Sequence, residues 1–313
     1  MISVIIPVRN GAADLARCLK AIGCQQDTDE VEIVVIDSGS TDGSAELARA
    51  AGARVHAIAP QTFNHGGTRN LGVSLAGGDV VVFISQDAFP DGALWLSRLV
   101  GPLQNDVTLA GTYGRQIAHD DASPSERFFL DFLYGETARE QRATSAAGLS
   151  MSTTLFSNVN SAMRRQVFDE FPFADDLIMS EDQDWARRVL LAGYSLKYVP
   201  DAAVRHSHPY TLEQAFRRFF DSGVSAERAY LAGARPSATV LRREATRYAR
   251  QELIWLWHRG HRRAIPYAVL YELVKFVGLQ LGIRHRRLPI GLKRRLSALP
   301  VYWSGVRDGS HIS

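Results

Sequence analysis

A small set of carboxylates, one arginine and two histidines stand where they can do proton, phosphate and metal chemistry. Glu181 and Asp182 sit together at the head of a helical pattern, SEDQDWARRVL (180–190), with Asp184 just after them. A first helical turn favours acidic residues because the helix dipole is positive there, but three carboxylates so close exceed what capping requires. One of them, set in a cleft, can act as a general base toward a hydroxyl. Asp87 ends the buried run VVFISQDAFP (81–90). A rigid strand end of this kind can hold a divalent metal, Mg2+ or Mn2+, between a carboxylate and substrate phosphates. Gln86 and Ser85 beside it offer only neutral oxygens. His206 and His208 alternate along the extended run VRHSHPY (204–210), so both face one side. Either can complete a Mn2+ shell through imidazole, and with no cysteine nearby a structural zinc is disfavoured.

Two further segments suit a nucleotide. Asp37 closes the apolar run in VVIDSGSTDGS (34–44), where it can accept from a ring N–H or a ribose hydroxyl, or simply cap the next helix. FNHGGTRNLG (63–72) opens a helix with two glycines, and helix N-terminal amides attract anions. Arg69 in that first turn opposes the dipole unless a phosphate or a nearby carboxylate compensates it. The first strand ends PVRNG, so no GxGxxG follows it, and no GxxxxGK[ST] occurs. A dinucleotide-binding dehydrogenase and a P-loop enzyme are thereby disfavoured.

These segments need a scaffold. Near-continuous apolar runs predict strands over Ser3–Val8, Glu32–Asp37, Arg54–Ala57, Val80–Ser85 and Leu109–Gly114. Between them, helices are expected over Ala13–Ile22, Gly43–Ala51, Gly67–Leu75 and Ala93–Val100. The alternation implies an α/β fold with a mostly parallel central sheet, whose strand ends build the ligand site. Residues 116–157 are irregular and rich in Ala, Ser and Thr, and are expected to form a flexible loop over the site. Residues 157–168 read as a strand passing into a helix, and 180–200 as a helix, a turn at Gly193–Tyr194 and a strand. From 211 the pattern is helical to the end, which divides the chain into a catalytic domain (1–210) and a helical, basic region (211–313).

The chain has 313 residues and a net charge of +3, which conceals a segregation. Residues 1–234 carry 20 Lys and Arg against 29 Asp and Glu, whereas residues 235–313 carry 16 against 4. The acidic body and the absence of any RNA- or DNA-binding module argue against nucleic acid as a partner. No signal peptide is read at the start, and Cys18 and Cys24 match no redox or zinc spacing, so reduced thiols in the cytoplasm are expected.

With these motifs in hand, the chain resembles the inverting glycosyltransferases of family 2, which have the nucleotide-binding A-type fold. The resemblance covers about residues 1–210. FNHGGTRNLG, SQDAFP and SEDQDWA are most similar to bacterial rhamnosyltransferases that use dTDP-L-rhamnose. It implies that Pro7 and Arg9 line the base pocket, that Asp37 holds the thymine or its sugar, and that Arg69 lies near the nucleotide or diphosphate. Ser85-Gln86-Asp87 stands where the family has Asp-x-Asp, so Asp87 matches the metal ligand while Ser85 replaces the first carboxylate. Asp182 matches the catalytic base, with Glu181 supporting it. Asn158 and Asn160 fall where the family meets donor sugar or acceptor. The implied activity is rhamnosyl transfer to a glycan or polyprenyl-diphosphate-linked acceptor in synthesis of a cell-surface polysaccharide such as O-antigen. The alternatives are a UDP- or GDP-linked donor, or a non-catalytic sugar-nucleotide-binding scaffold.

The tail interleaves aromatics with cations. PYAVLYELVKFVGLQLGIRHRR (266–287) carries Glu272 and Lys275 mid-run, which makes it a poor membrane span and a fair amphipathic helix. Trp255, Trp257 and Trp303 with neighbouring arginines suit an anionic membrane surface, which would place the protein peripherally on the inner face of the plasma membrane. A homodimer contact is the competing use of the same helices.

Overall fold

Nine strands among the described residues form one sheet, ordered β3 (Arg54–Ala57), β2 (Val31–Asp37), β1 (Ile2–Val8), β4 (Val80–Ile84), β8 (Asn160–Arg164), β6 (Leu109–Ile117), β9 (Ser195–Arg205) and β5 (Phe89–Pro90), with β7 (Arg139–Gln141) pairing β9. The structure, a computed structural model, describes residues 1–28, 30–143, 145–229 and 238–304. The first half follows the expected alternation. β1 (Ile2–Val8), α1 (Ala12–Gly23), β2 (Val31–Asp37), α2 (Ser44–Ala50), β3 (Arg54–Ala57), α3 (His65–Leu75) and β4 (Val80–Ile84) succeed one another. The β1–β2, β2–β3 and β1–β4 pairs are all parallel. Val4, Ile5, Ile6, Val35, Ile36, Val82 and Phe83 are fully buried, because helices cover both faces of these strands.

Beyond β4 the sheet becomes mixed. β5 (Phe89–Pro90) and α4 (Trp95–Asn105) lead into β6 (Leu109–Ile117), which does not lie beside β4. A later strand, β8 (Asn160–Arg164), inserts between them antiparallel to both. The long β9 (Ser195–Arg205) then runs parallel to β6. The sheet is therefore all parallel from β3 to β4 and mixed beyond it, and β8 brings residues 157–160 to the end of β4, where the Ser85 N–H donates to the Val159 carbonyl at 3.3 Å.

Residues 116–157 are not a loose flap. They contain α5 (Pro124–Leu133) and β7 (Arg139–Gln141), the latter paired antiparallel with β9. Ser123 caps α5 by accepting from the Glu126 N–H at 3.2 Å, with Pro124 at the first helical position. Gln141 Nε2 donates to the Leu155 and Thr153 carbonyls at 2.8 and 3.0 Å, which fastens the segment down.

α6 (Arg165–Glu170) follows β8, and α7 (Glu181–Leu191) precedes β9. After β9 come α8 (Leu212–Ala229), α9 (Ala238–His258), α10 (Ile265–Ile283) and α11 (Ile290–Leu296). They pack on the body: Phe128 of α5 meets Trp255 at 5.8 Å between ring centroids, and the Met179 N–H donates to Ser225 Oγ at 3.3 Å. The two cysteines are free. Cys18 is buried, and burial pushes its thiol up to about 12, so it is inert.

Candidate active site

Two clusters form at the carboxyl ends of the central strands. In the first, the ligating atoms of Asp87, His206 and His208 lie within 4.8 Å of one another. His206 Nε2 is 3.7 Å from Asp87 Oδ1, and His208 Nε2 is 3.6 Å from Asp87 Oδ2. Their rings meet edge to face at 4.5 Å, as two residues alternating past the end of β9 should. His206 Nδ1 faces Gln116 Oε1 at 3.0 Å. That oxygen can only accept, so Nδ1 carries the hydrogen and Nε2 presents its lone pair toward Asp87. Burial, aided by mutual repulsion between the histidines, holds His206 well below its ordinary value. Burial also lowers His208, against the pull of Asp87. Both rings are therefore neutral near pH 7, the form that ligates metal. One carboxylate and two neutral imidazoles fit a divalent ion of the Mn2+ kind.

In the second cluster, α7 opens on Ser180, whose φ of 64° is unusual for a residue with a side chain. The turn aims Glu181 inward and leaves Asp182 half-buried. Arg69 Nη1 lies 3.1 Å from Glu181 Oε1, which also accepts from Asn158 Nδ2 at 3.0 Å. Burial works to raise Glu181, but Arg69, His65 and Asn158 outweigh it and hold the carboxyl below its usual range. Asp182 lacks such a partner. Desolvation and the neighbouring Glu181 charge push it up to about 7, opposed by the Asn158 N–H, which donates to Oδ2 at 3.2 Å. A half-buried carboxylate poised near neutrality, beside one locked in its ionised form, is the arrangement expected of a general base and its support.

Peptide 157–158 joins the clusters. Gln116 Nε2 donates to Ser157 Oγ at 3.0 Å while its Oε1 serves His206, and the next residue, Asn158, serves Glu181 and Asp182.

The family model for glycosyl transferase family 2 matches residues 3–171. The chain belongs to this family. The transferase is 34% identical over 282 residues to the O-antigen chain rhamnosyltransferase WbaN of Salmonella anatum, covering 89% of this chain and 88% of that protein. It is 33% identical over 312 residues to the O-antigen chain rhamnosyltransferase RfbN of Salmonella typhimurium, covering 99% and 98%. Its fold resembles that of the mannosyltransferase PcManGT from Pyrobaculum calidifontis in complex with GDP-Man and Mn2+, with a TM-score of 0.59, 18% identity and coverage of 89% and 86%. It also resembles glucosyl-3-phosphoglycerate synthase from Mycobacterium tuberculosis in complex with Mn2+, UDP-Glc and phosphoglyceric acid, with a TM-score of 0.52, 22% identity and coverage of 73% and 79%.

Several residues of the transferase do something other than the sequence suggested. Of the two anions the sequence left open for Arg69, a phosphate or a nearby carboxylate, the structure supplies the carboxylate: Arg69 is buried and pairs with Glu181. FNHGGTRNLG acts as a clamp: Asn64 caps α3 by accepting from the Gly67 N–H at 2.8 Å, and Asn70 exchanges two hydrogen bonds with the Phe173 backbone. A Cβ on Gly66 would lie 2.1 Å from the Ala174 carbonyl oxygen, so only glycine lets the clamp close on the chain leading to α7. Asn160 is fully buried, and its side chain is engaged by the core. It accepts from Trp95 Nε1 at 2.9 Å and donates to the Ala202 carbonyl at 2.8 Å. Asn158 orients the two carboxylates instead of reaching into the cleft. Gln86 grips the Arg9 backbone, accepting from its N–H at 2.9 Å and donating to its carbonyl at 3.3 Å, which fixes the β1 end beside Pro7. Asp37 accepts from the Ser40 N–H at 3.2 and 3.3 Å and stays at the head of the β2 loop.

Three residues were not anticipated. Gln116 sets the His206 tautomer, and nothing in its local sequence marks it. Glu126 Oε1 accepts from the backbone N–H of His208, and the Ser123-Pro124-Ser125-Glu126 capping pattern of α5 was legible. Arg218 on α8 is exposed, has no carboxylate partner among the described residues, and lies 5.7 Å from the Tyr210 ring, which packs 5.1 Å from His208. It is an exposed cation at the edge of the Asp87–His206–His208 cluster.

Proposed function

We propose that the transferase moves L-rhamnose from dTDP-β-L-rhamnose to a hydroxyl of a glycan or polyprenyl-diphosphate-linked acceptor, building a cell-surface polysaccharide such as O-antigen in the cytoplasm. The observation that carries this reading is identity of 33% sustained over 99% of the chain with an O-antigen rhamnosyltransferase. The geometry supports a single displacement. Asp182 takes the proton of the acceptor hydroxyl as its oxygen attacks the anomeric carbon from the face opposite the nucleotide. The bond to the diphosphate oxygen breaks as the new bond forms, so a β-L donor yields an α-L-rhamnoside. Glu181, kept ionised by Arg69, holds Asp182 basic enough to work near pH 7. Arg218 meets the charge that grows on the diphosphate. A divalent ion, when held by Asp87, His206 and His208, supplies Lewis-acid stabilisation of that same charge. The diphosphate leaves without needing a proton. Pro7, Arg9 and Asp37 flank the nucleoside.

A UDP- or GDP-linked donor is the second reading, favoured by the sugar nucleotides bound in structures of similar fold. Calorimetric titration with dTDP, UDP and GDP, each with Mn2+ and with EDTA, separates the two. Turnover of dTDP-β-L-rhamnose is followed by proton NMR of the product anomer. Mn2+-dependent preference for dTDP and an α-L product are expected. Preference for UDP or GDP overturns the donor, and a β-L product overturns the displacement.

A further inference from the structure

Helix α10 is inverted relative to a helix on a wet surface. Its charged side chains face inward: Lys275 Nζ lies 2.6 Å from Glu272 Oε1 and within 5.3 Å of the ring centroids of Phe129, Phe219, Tyr248 and Tyr271. Its glycines face α8. A Cβ on Gly282 would lie 2.0 Å from the Phe220 carbonyl oxygen, and one on Gly278 would lie 2.5 Å from that of Phe216. The two helices therefore cross in backbone contact and leave an apolar outer face. Tyr267, Val269, Leu270, Leu273 and Val277 are each between 40% and 56% exposed. The spacing of Leu270, Leu273 and Val277 aligns them on one side. An apolar face of this length on a helix is an interaction surface. The tail is thus not the amphipathic helix its sequence suggested, and of its three tryptophans Trp303 is buried and Trp255 packs on Phe128, leaving Trp257 exposed.

Charge selects the occupant. Exposed Arg262 and Arg263 precede the helix, and exposed Arg284, Arg286 and Arg287 follow it. Arg262 lies over the ring of exposed Trp257 at 4.0 Å. If a second copy covered the face, both ends of each helix would bring arginine against arginine whichever way the pair ran, and like charges across an interface are costly. An anionic lipid surface meets both ends favourably and takes the apolar stripe between them. By length and composition residues 262–283 are able to cross a bilayer, with a mean hydropathy of 1.3. The packing forbids it. After α10 the chain returns to the body, where the Ala298 N–H donates to Asp221 Oδ2 at 2.8 Å and the Tyr302 hydroxyl to the Asp176 carbonyl at 3.0 Å. Both ends of α10 therefore lie on one side.

We propose that the outer face of α10, with Trp257, lies in the headgroup–acyl boundary of an anionic bilayer, its flanking arginines on lipid phosphates. The face holds the protein on a membrane without spanning it, whatever sugar the active site transfers.

Flotation of the full chain tests this, using vesicles of phosphatidylcholine alone and of phosphatidylcholine with phosphatidylglycerol. Binding only to the anionic vesicles, weakening as salt rises, is expected. The double variant Leu270→Glu/Leu273→Glu should lose about tenfold in bound fraction while keeping the parent melting curve, because both side chains point outward. Absence of flotation on the anionic vesicles, or equal flotation on both kinds, overturns the proposal. So does a dimer in sedimentation equilibrium that the same double variant dissolves, because the face then belongs to a second copy.

Discussion

Arg69 Nη1 and Glu181 Oε1, 112 residues apart in the chain, form a buried ion pair 3.1 Å long. This pair divides the labour between two adjacent carboxylates. Glu181 is held ionised by the guanidinium and cannot take a proton near pH 7, whereas burial and the adjacent Glu181 charge push Asp182 up to about 7 against a weaker pull from Arg69. Breaking the pair exposes its cost structure. Arg69→Met leaves Glu181 buried and unpaired, and should lower stability by about 3–5 kcal/mol in urea unfolding.

The same relationship sets the pH profile. Asp182 must be ionised to act, so kcat/KM should rise with pH and level off above about 7. Asp182→Asn should cut kcat by about 10²–10⁴-fold while nucleotide affinity holds. Glu181→Gln removes the neighbouring negative charge and frees Arg69 to act on Asp182. Both changes lower its pKa, so the rising limb should move to lower pH. A limb that stays in place would remove Asp182 as the base.

Gln116 should prove necessary for metal binding although it touches no metal. Its Oε1 fixes the His206 tautomer, and its Nε2 is anchored on Ser157. Gln116→Leu should weaken Mn2+ by about 10–100-fold, read by calorimetry or by the free-ion EPR signal, with the fold intact. Protons compete with metal only when the imidazoles charge, and both are shifted below 6.5. Mn2+ affinity should therefore stay level from pH 8 down to about 6.5 and fall below it.

What could be read from the sequence follows from how local each signal is. Asp87, His206 and His208 came together as expected, because a strand end and a period-two alternation fix direction without knowledge of the fold. The parallel pairing of β1 to β4, though not their order, was legible because near-continuous apolar runs alternate with helices. The Arg69–Glu181 pair was not, since an arginine in a first helical turn announces an anion but not which one. The antiparallel insertion of β8 was equally hidden, because sheet order depends on crossovers that leave no periodic mark. The inversion of α10 was missed because Glu272 and Lys275 look solvated in sequence, while in space they neutralise each other within an aromatic cage.

Arg218 should replace Arg69 as the cation that matters to the donor. It is exposed and forms no close ion pair among the described residues, feeling Asp221 only at longer range, so removing it breaks no ion pair there. Arg218→Ala should raise the donor KM and lower kcat together, by about tenfold in kcat/KM for each 1.4 kcal/mol of transition-state charge stabilisation lost. The melting temperature should not move. Arg69→Lys, by contrast, should cost stability before it costs donor affinity, because its partner is inside the protein.

Asn160 separates structural from catalytic asparagine most cleanly. Its side chain is fully buried, holding Trp95 of α4 with its oxygen and Ala202 of β9 with its nitrogen, and so ties a helix and two strands at one point. Asn160→Ala strands the indole N–H and a strand carbonyl in a dry core, which should cost about 2–4 kcal/mol in urea unfolding. Asn160→Asp should be no better, because a carboxylate cannot donate to the Ala202 carbonyl and brings an unpaired buried charge. The protein that remains folded should keep the donor KM of the parent. A raised donor KM with unchanged stability would return Asn160 to the sugar site and remove it from the core.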